Sequence, residues 1–210
     1  MKYFFFDLDG TLVDSKTIID KSYYKTFDYF KLLKKKIKIG PSLDEVISEN
    51  LSQHNSKIQL QFKNYFIKTH DSLLHKVKSY PNVEKLLLKI LSNNSKIFIL
   101  TNKRYVATSK IIDNLGWSKY FDEIICKDKY GLSKKEYFNY FFLKHNSEIH
   151  KKTTFYFISD TLEDYIATIG FPIKFIRVTY GYGNEDNWPN DNSYFKAKNI
   201  NEIIQLLNTI

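Results

Sequence analysis

Four aromatic residues in a row, Tyr3-Phe4-Phe5-Phe6, run straight into Asp7-Leu8-Asp9-Gly10-Thr11-Leu12, and this stretch constrains the chain more than any other. Such a run leaves no polar side for water, so it reads as a strand buried on both faces, as in the middle of a parallel sheet. Asp7 and Asp9 are spaced by two and point the same way if the backbone stays extended. Gly10 then permits a turn that a Cβ would resist. Two carboxylates at the end of a buried strand repel each other and are costly to desolvate; a metal ion or a division of protonation states is the usual remedy. A plain strand-closing turn does not need an aromatic strand in front of it. A calcium loop fails on spacing, because its sixth and twelfth positions, counted from Asp7, hold Leu12 and Ile18 rather than Gly and Glu.

After this strand the texture is helical for some sixty residues. Ile19, Tyr23, Phe27, Phe30 and Leu33 mark an amphipathic helix over 17–36, stopped by Gly40-Pro41. Residues 42–53 and 56–77 read as two more helices. From Tyr80-Pro81 onward helices alternate with strands. Asn82 can cap a helix whose buried stripe runs to Leu91. Strands follow at 96–100, 123–126, 154–158 and 174–178, separated by helices that end near Gly116, His145 and Gly170, with a last helix over 200–207. Alternation of this kind argues for an α/β fold, a Rossmann-like parallel sheet with helices on both faces. Residues 1–14 and 80–210 form the expected core, and 15–79 an inserted helical block.

Charge and cysteine content narrow the partners. The net charge of +9 comes from lysines spread along the chain, and the densest group, Lys34, Lys35, Lys36 and Lys38, falls at the end of the first expected helix. Lysines there complement the helix dipole, so no nucleic-acid groove is expected, only a weak attraction for anionic substrates. The single Cys126 rules out a disulfide framework and fits a reducing compartment. No apolar run is long enough for a signal-peptide core or a membrane span, so a soluble, cytoplasmic protein is expected, without a membrane partner. Composition carries no signal of oligomeric state.

In parallel sheets, ligands bind outside the carboxyl ends of the strands. Three expected strands end in polar residues suited to a phosphate: Asp7 and Asp9, then Thr101-Asn102, then Ser159-Asp160-Thr161-Leu162-Glu163-Asp164. Asp160 and Asp164 are four apart at a helix start, which would set them on one face. Taken alone, Thr101 could be an ordinary turn and Asp160 a helix cap; their recurrence at strand ends is what points to a site.

Phe6-Asp7-Leu8-Asp9-Gly10-Thr11-Leu12 resembles the first signature of the haloacid dehalogenase superfamily, in its phosphatase branch, and the match extends over nearly the whole chain. The helical block after the first strand resembles the helical cap of phosphoglycolate phosphatase-like members. The resemblance implies a phosphomonoester hydrolase working through an aspartyl-phosphate, with Asp7 as nucleophile and Asp9 as general acid and base. It implies one Mg2+, held by Asp7, the Asp9 main-chain carbonyl and Asp160. Thr101 matches the second motif; Asn102 and the backbone at Gly10 and Thr11 would join it around the substrate's phosphate. The third motif needs a lysine near a helix start. Ser133-Lys134-Lys135-Glu136 is a capping box that puts Lys134 on the first helical residue. Lys134 is preferred; Lys135, Lys127 and Lys129 remain alternatives. Asp164 would orient it. Ser159 stands where relatives carry Gly, and could tighten the metal site or simply be tolerated.

Asp9 favours phosphate esters within the superfamily, because haloacid dehalogenases carry no acid there. A phosphomutase similar to β-phosphoglucomutase shares all four motifs, and Thr11 leans toward the hydrolase. A catalytically idle phosphate-binding protein is disfavoured, since no required carboxylate is missing. Tyr180-Gly181-Tyr182-Gly183 resembles a glycine-rich segment of phosphoglycolate phosphatase-like members. His54, His70 and His75 read as surface or core residues.

Overall fold

The structure is a computed structural model, and it describes residues 1–33, 39–145, 152–183, 187–190 and 193–209. Its centre is a six-stranded, wholly parallel sheet in the order β5-β4-β1-β6-β7-β8. These strands are β1 (Lys2–Phe6), β4 (Lys96–Thr101), β5 (Glu123–Cys126), β6 (Thr154–Ser159), β7 (Ile173–Val178) and β8 (Phe195–Ala197). The aromatic run of β1 serves both faces by alternation. Phe4 and Phe6 join the cluster under α4 (Val83–Leu91), α5 (Tyr105–Asn114) and α9 (Ile200–Leu206). Phe5 joins the opposite cluster under α7 (Lys134–Lys144), where it meets Phe138 edge to face at 5.3 Å. The sequence pattern and the fold therefore agree on a doubly covered α/β sheet.

The chain leaves this body and returns to it through a two-stranded antiparallel ribbon, β2 (Val13–Asp14) against β3 (Lys78–Ser79). Between them α1 (Lys16–Tyr29), α2 (Leu43–Leu51) and α3 (Ser56–Asp71) pack around a cluster of their own, with Tyr23, Phe27, Phe62 and Phe66 at its centre. Two helices are shorter than their periodicity suggested. α1 stops at Tyr29, Lys31 takes a left-handed φ of 52°, and Leu33 is 87% exposed, so the apolar stripe ends before Leu33. The lysines at 34–36 and 38 lie outside the described residues. α3 stops at Asp71, and a separate 3-10 turn, Leu74–Lys76, follows. Leu74 and Val77 are buried in the sheet's cluster rather than in the helical one, so the chain has to turn between two cores.

Three further differences have local causes. Asn82 precedes α4 but its side chain accepts no capping bond; it adopts φ 68° in the tight turn after Tyr80, a conformation Asn tolerates. The ribbon, β8 and the four-residue α6 (Lys127–Tyr130) are too short to leave a periodic trace. The polar stretch 184–193 is described only in part, but Trp188 within it is buried, with the Arg177 guanidinium 4.0 Å over its ring. Among the described residues no helix is long and apolar enough to cross a membrane.

Candidate active site

β1 lies between β4 and β6, so the parallel topology brings three strand ends together. The Asp7 amide continues the ladder by donating to the Ile158 carbonyl at 3.0 Å, which seats Asp7 beside Ser159 and Asp160. Asp7, Asp9, Thr101, Lys134, Asp160 and Asp164 all line one cavity of about 420 Å³, whose opposite wall is supplied by α1, α2 and α3.

Lys134 reaches the site as its helix start dictates. Ser133 accepts from the Glu136 amide, Glu136 returns the bond to the Ser133 amide, and Lys134 is the first helical residue. Its buried Nζ donates to Asp7 Oδ1 and to Asp164 Oδ2, each at 2.7 Å. Asp164 is fixed in turn by its amide, which donates to the Thr161 hydroxyl, and by the Ser159 hydroxyl, which donates to its carboxylate. Ser159 therefore braces the partner of Lys134, and its hydroxyl also accepts from the Thr161 amide at 3.5 Å.

Asp160 is not a helix cap; Thr161 has that role in α8 (Leu162–Thr168). Nor does Asp160 share a helix face with Asp164, because it sits ahead of the helix at the strand end. Its Oδ2 accepts from the amides of Tyr182 (2.6 Å) and Gly183 (3.1 Å), while the Thr11 hydroxyl donates to Oδ1 at 3.4 Å. Glycine is required around it. A Cβ on Gly10, whose φ is +80°, would lie 2.5 Å from Asp160 Oδ2, and one on Gly183 would lie 1.8 Å from the Asp160 carbonyl oxygen. Gly10 and Thr11 thus enclose Asp160 rather than a substrate: their amides are spent on Val13 and Leu8 carbonyls at 2.9 and 3.3 Å. Asn102 has a partner outside the sheet. Its side-chain amide donates to the Gly40 carbonyl at 2.9 Å, tying the β4 end to the segment before α2. Thr101 stays buried at the cavity; its oxygen accepts from the Lys103 amide at 3.2 Å, a bond that uses a lone pair and not the hydroxyl hydrogen.

Asp9 has two partners that sequence reasoning did not assign. Lys103 Nζ contacts its carboxylate oxygens at 2.8 and 3.1 Å, and the Ser15 hydroxyl donates to the same group. Burial pushes the Asp9 pKa upward, but Lys103 and Ser15 outweigh it and hold the carboxyl below its ordinary range. Asp7 behaves in the opposite way. Burial, reinforced by Asp164 and Asp160 against the pull of Lys134, pushes it up to about 7. Asp160 is pushed up to about 6, again chiefly by burial, with Asp164 adding. Burial would depress the Lys134 ammonium, but Asp164 and Asp7 overcome that and raise it above the usual lysine value.

Asp7 and Asp164 thus share one buried ammonium, Asp160 is buried beside them without a countercharge of its own, and the surplus negative charge suits a cation. Among the described residues no group of three or more His, Cys, Asp or Glu side chains forms a complete metal cage. Two carboxylates and a backbone carbonyl fit a small, hard divalent ion that keeps waters and takes substrate oxygens, as Mg2+ does.

A model of the family described as haloacid dehalogenase-like hydrolase matches residues 4–178. The chain belongs to that family. Phosphoglycolate phosphatase of Vibrio cholerae is 22% identical over 99% of this chain and 97% of its own length. Pyrophosphatase PpaX of Listeria monocytogenes is 28% identical over 137 residues, and the matched part spans only 62% of either protein. The fold is shared with crystal structures of a predicted phosphatase from Clostridium acetobutylicum (TM-score 0.82, 22% identity, 100% of this chain and 99% of that one) and a predicted phosphoglycolate phosphatase from Haemophilus somnus (0.83, 21%, 99% and 98%).

This haloacid dehalogenase-like hydrolase also carries contacts that join the helical block to the sheet. Arg104 pairs with Asp71 at the end of α3, and Lys127 with Glu45 in α2 at 2.7 Å. The Tyr182 phenol oxygen accepts from the Ser15 and Lys16 amides at 2.7 and 3.0 Å, at the very start of α1. Tyr182 lies in the glycine-rich segment noted in the sequence, though nothing there singled it out, and nothing local separates Lys103 from the many other lysines. Of those weighed for the third motif, Lys127 is committed to Glu45 and only Lys134 lies between acids of the site.

Proposed function

We propose that this chain is a Mg2+-dependent phosphatase that hydrolyses a small phosphomonoester through a phosphorylated Asp7. The observation that carries it is Lys134, which bridges Asp7 and Asp164 at the floor of the cavity, with Asp160 alongside. Asp7, Asp160 and the Asp9 carbonyl would hold the ion, which supplies positive charge against the phosphate oxygens and favours the ionised form of Asp7.

Asp7 attacks phosphorus in line; the bond to the leaving oxygen breaks, and that oxygen takes a proton from Asp9. Water then gives a proton to Asp9 and attacks the phosphorus, and Asp7 is released with inorganic phosphate. Asp9 paired to Lys103 is in its basic form, the one the second step needs. For the first step it must be protonated, so Lys103 has to part from it as the substrate's negative charge arrives. Lys134 and the Thr101 hydroxyl steady the phosphoryl oxygens, and the amides of Leu8 and Asp9 are the loop donors that Gly10 and Thr11 cannot be. Residues 15–79 act as a cap over a core of 1–14 and 80–210, with the β2–β3 ribbon as the joint. The buried, single Cys126 supports a cytoplasmic setting.

The test is release of phosphate from p-nitrophenyl phosphate with Mg2+ present. Asp7→Asn should abolish it and Asp9→Asn should lower turnover by about 10²–10⁴. Undiminished release by Asp7→Asn would remove Asp7 as nucleophile, and indifference to a chelator would remove the ion.

A further inference from the structure

The side chains of Ser42, Asn55, Ser133, Thr161 and Asn199 each cap the helix that follows, and each of these residues has an extended ψ between 145° and 171°. Ser15 stands at the same position before α1, yet its ψ is −2° and its hydroxyl accepts no capping bond. The side chain is wholly buried, and its hydroxyl donates to Asp9 Oδ1 instead. Tyr182 takes over the cap. Its phenol oxygen accepts from the Ser15 and Lys16 amides at 2.7 and 3.0 Å, from 167 and 166 positions away, and donates to Asp14 Oδ1 at 2.8 Å. Two orphan amides at the helix start are thereby satisfied by a distant residue. The Ser15 hydroxyl is left for Asp9.

Tyr182 is itself held on several sides. Its amide donates to Asp160 Oδ2 at 2.6 Å, and its ring lies over the turn after Asp9, where a Cβ on Gly10 would come within 3.0 Å of it. Two residues earlier, the Tyr180 hydroxyl donates to the Thr11 carbonyl at 2.8 Å and its ring meets Tyr80 edge to face at 4.6 Å. Without the phenol oxygen, Ser15 is free to adopt the extended ψ of the other caps, in which its hydroxyl bonds an amide of α1 and leaves Asp9. That matters for the two oxygens of Asp9, which the geometry gives different tasks. Oδ1 is fixed by Ser15, while Oδ2, 2.8 Å from Lys103 Nζ, is the oxygen that can carry the proton once Lys103 departs.

We infer that Tyr182 is a positioning residue for proton transfer at Asp9: by capping α1 in place of Ser15, it keeps the Ser15 hydroxyl on Asp9 Oδ1. This rests on the phosphatase reading above. The test compares kcat/KM for phenyl phosphate and p-nitrophenyl phosphate, which differ little in shape and much in how far the departing oxygen needs a proton. Tyr182→Phe keeps the ring and the amide bond to Asp160, and water reaches the exposed Lys16, so the fold should persist. It should lose about fivefold to tenfold with phenyl phosphate and less than about twofold with p-nitrophenyl phosphate, a split that follows the acid's share of the step. Ser15→Ala should show the same split. The double variant should be no worse than Ser15→Ala, because both changes cut one route. Mg2+ affinity of Tyr182→Phe by calorimetry should stay as in the wild-type protein, since the bonds to Asp160 come from backbone amides. Equal losses on both esters, additive losses in the double variant, a fall in Mg2+ affinity, or failure of Tyr182→Phe to fold would each make Tyr182 a structural brace. Any of these would overturn the inference while leaving the phosphatase reading intact. Absence of release from both esters by the wild-type protein would remove both.

Discussion

Replacing Lys134 by Met largely separates the electrostatics of the site from its shape, because the unbranched side chain keeps most of its length and loses its charge and its donors. In the wild-type protein the ammonium makes two hydrogen bonds of 2.7 Å, to Asp7 and to Asp164, and all three groups are buried. Without it, two carboxylates stay in a low-dielectric pocket with no countercharge. Removing one partner of a buried pair costs about 3–5 kcal/mol, a large share of the roughly 5–15 kcal/mol that holds a domain together. At about 2–4 °C per kcal/mol for a chain of this length, the midpoint should fall by roughly 6–20 °C. Thermal unfolding followed by circular dichroism, with a chelator present, measures it. The deficit should narrow as pH falls. Asp7 is already pushed up to about 7 with Lys134 in place, so the folded variant binds protons more readily than the unfolded chain and gains relative stability toward acid. Lys134→Met combined with Asp164→Asn removes one of the stranded charges and should melt above the single variant. A Lys134→Met midpoint within about 2 °C of wild type, or no gain in the double variant, would refute the charge accounting.

Gly183→Ala places a Cβ 1.8 Å from the Asp160 carbonyl oxygen, so the Asp160 loop has to move; Mg2+ affinity by calorimetry should drop about tenfold or more while the fold persists. Ser159→Gly deletes the hydroxyl bond to the Asp164 carboxylate and should cost about 1.5–3 kcal/mol of stability in a urea titration, with Mg2+ affinity left within about twofold. Burial tends to raise the Glu45 pKa, but Lys127 and Ser42 prevail and hold it down at about 2. The stabilisation from Glu45 is therefore present above the ordinary carboxylate range and lost as pH falls toward 2. Hydrogen exchange should show α2 losing protection between about pH 4.5 and 2 before β1 does, and Lys127→Ala should flatten that difference.

The contrast between Lys134 and Lys103 shows which parts of such a site a sequence can disclose. Ser133 and Glu136 cap each other across one turn, so two letters three positions apart fix where the helix begins and which residue stands first. Helix starts and strand ends gather at one rim of a parallel sheet, and the resemblance to the haloacid dehalogenase superfamily asks for a lysine at such a start, so Lys134 could be preferred to Lys135, Lys127 and Lys129 from the sequence. The strand ends were legible for the same reason: apolar runs of five or six residues that finish in Asp7, Thr101 and Asp160 report both a place and a chemistry. Lys103 sits in a loop, where no periodicity constrains direction, and only its pairing with Asp9, 94 positions away, distinguishes it among 32 basic residues. The neighbours of Asn102 predict a strand end correctly, but nothing local shows that one N–H of its side-chain amide goes to Gly40, 62 residues away. His70 is buried, as one of the two expected readings had it, but that it also lines the cavity follows only from the path of the chain toward Leu74, where the helix outruns its apolar cluster. Local order thus specifies the framework and any side chain whose element boundary is itself encoded. The pairings that tune those side chains are decided where distant segments meet.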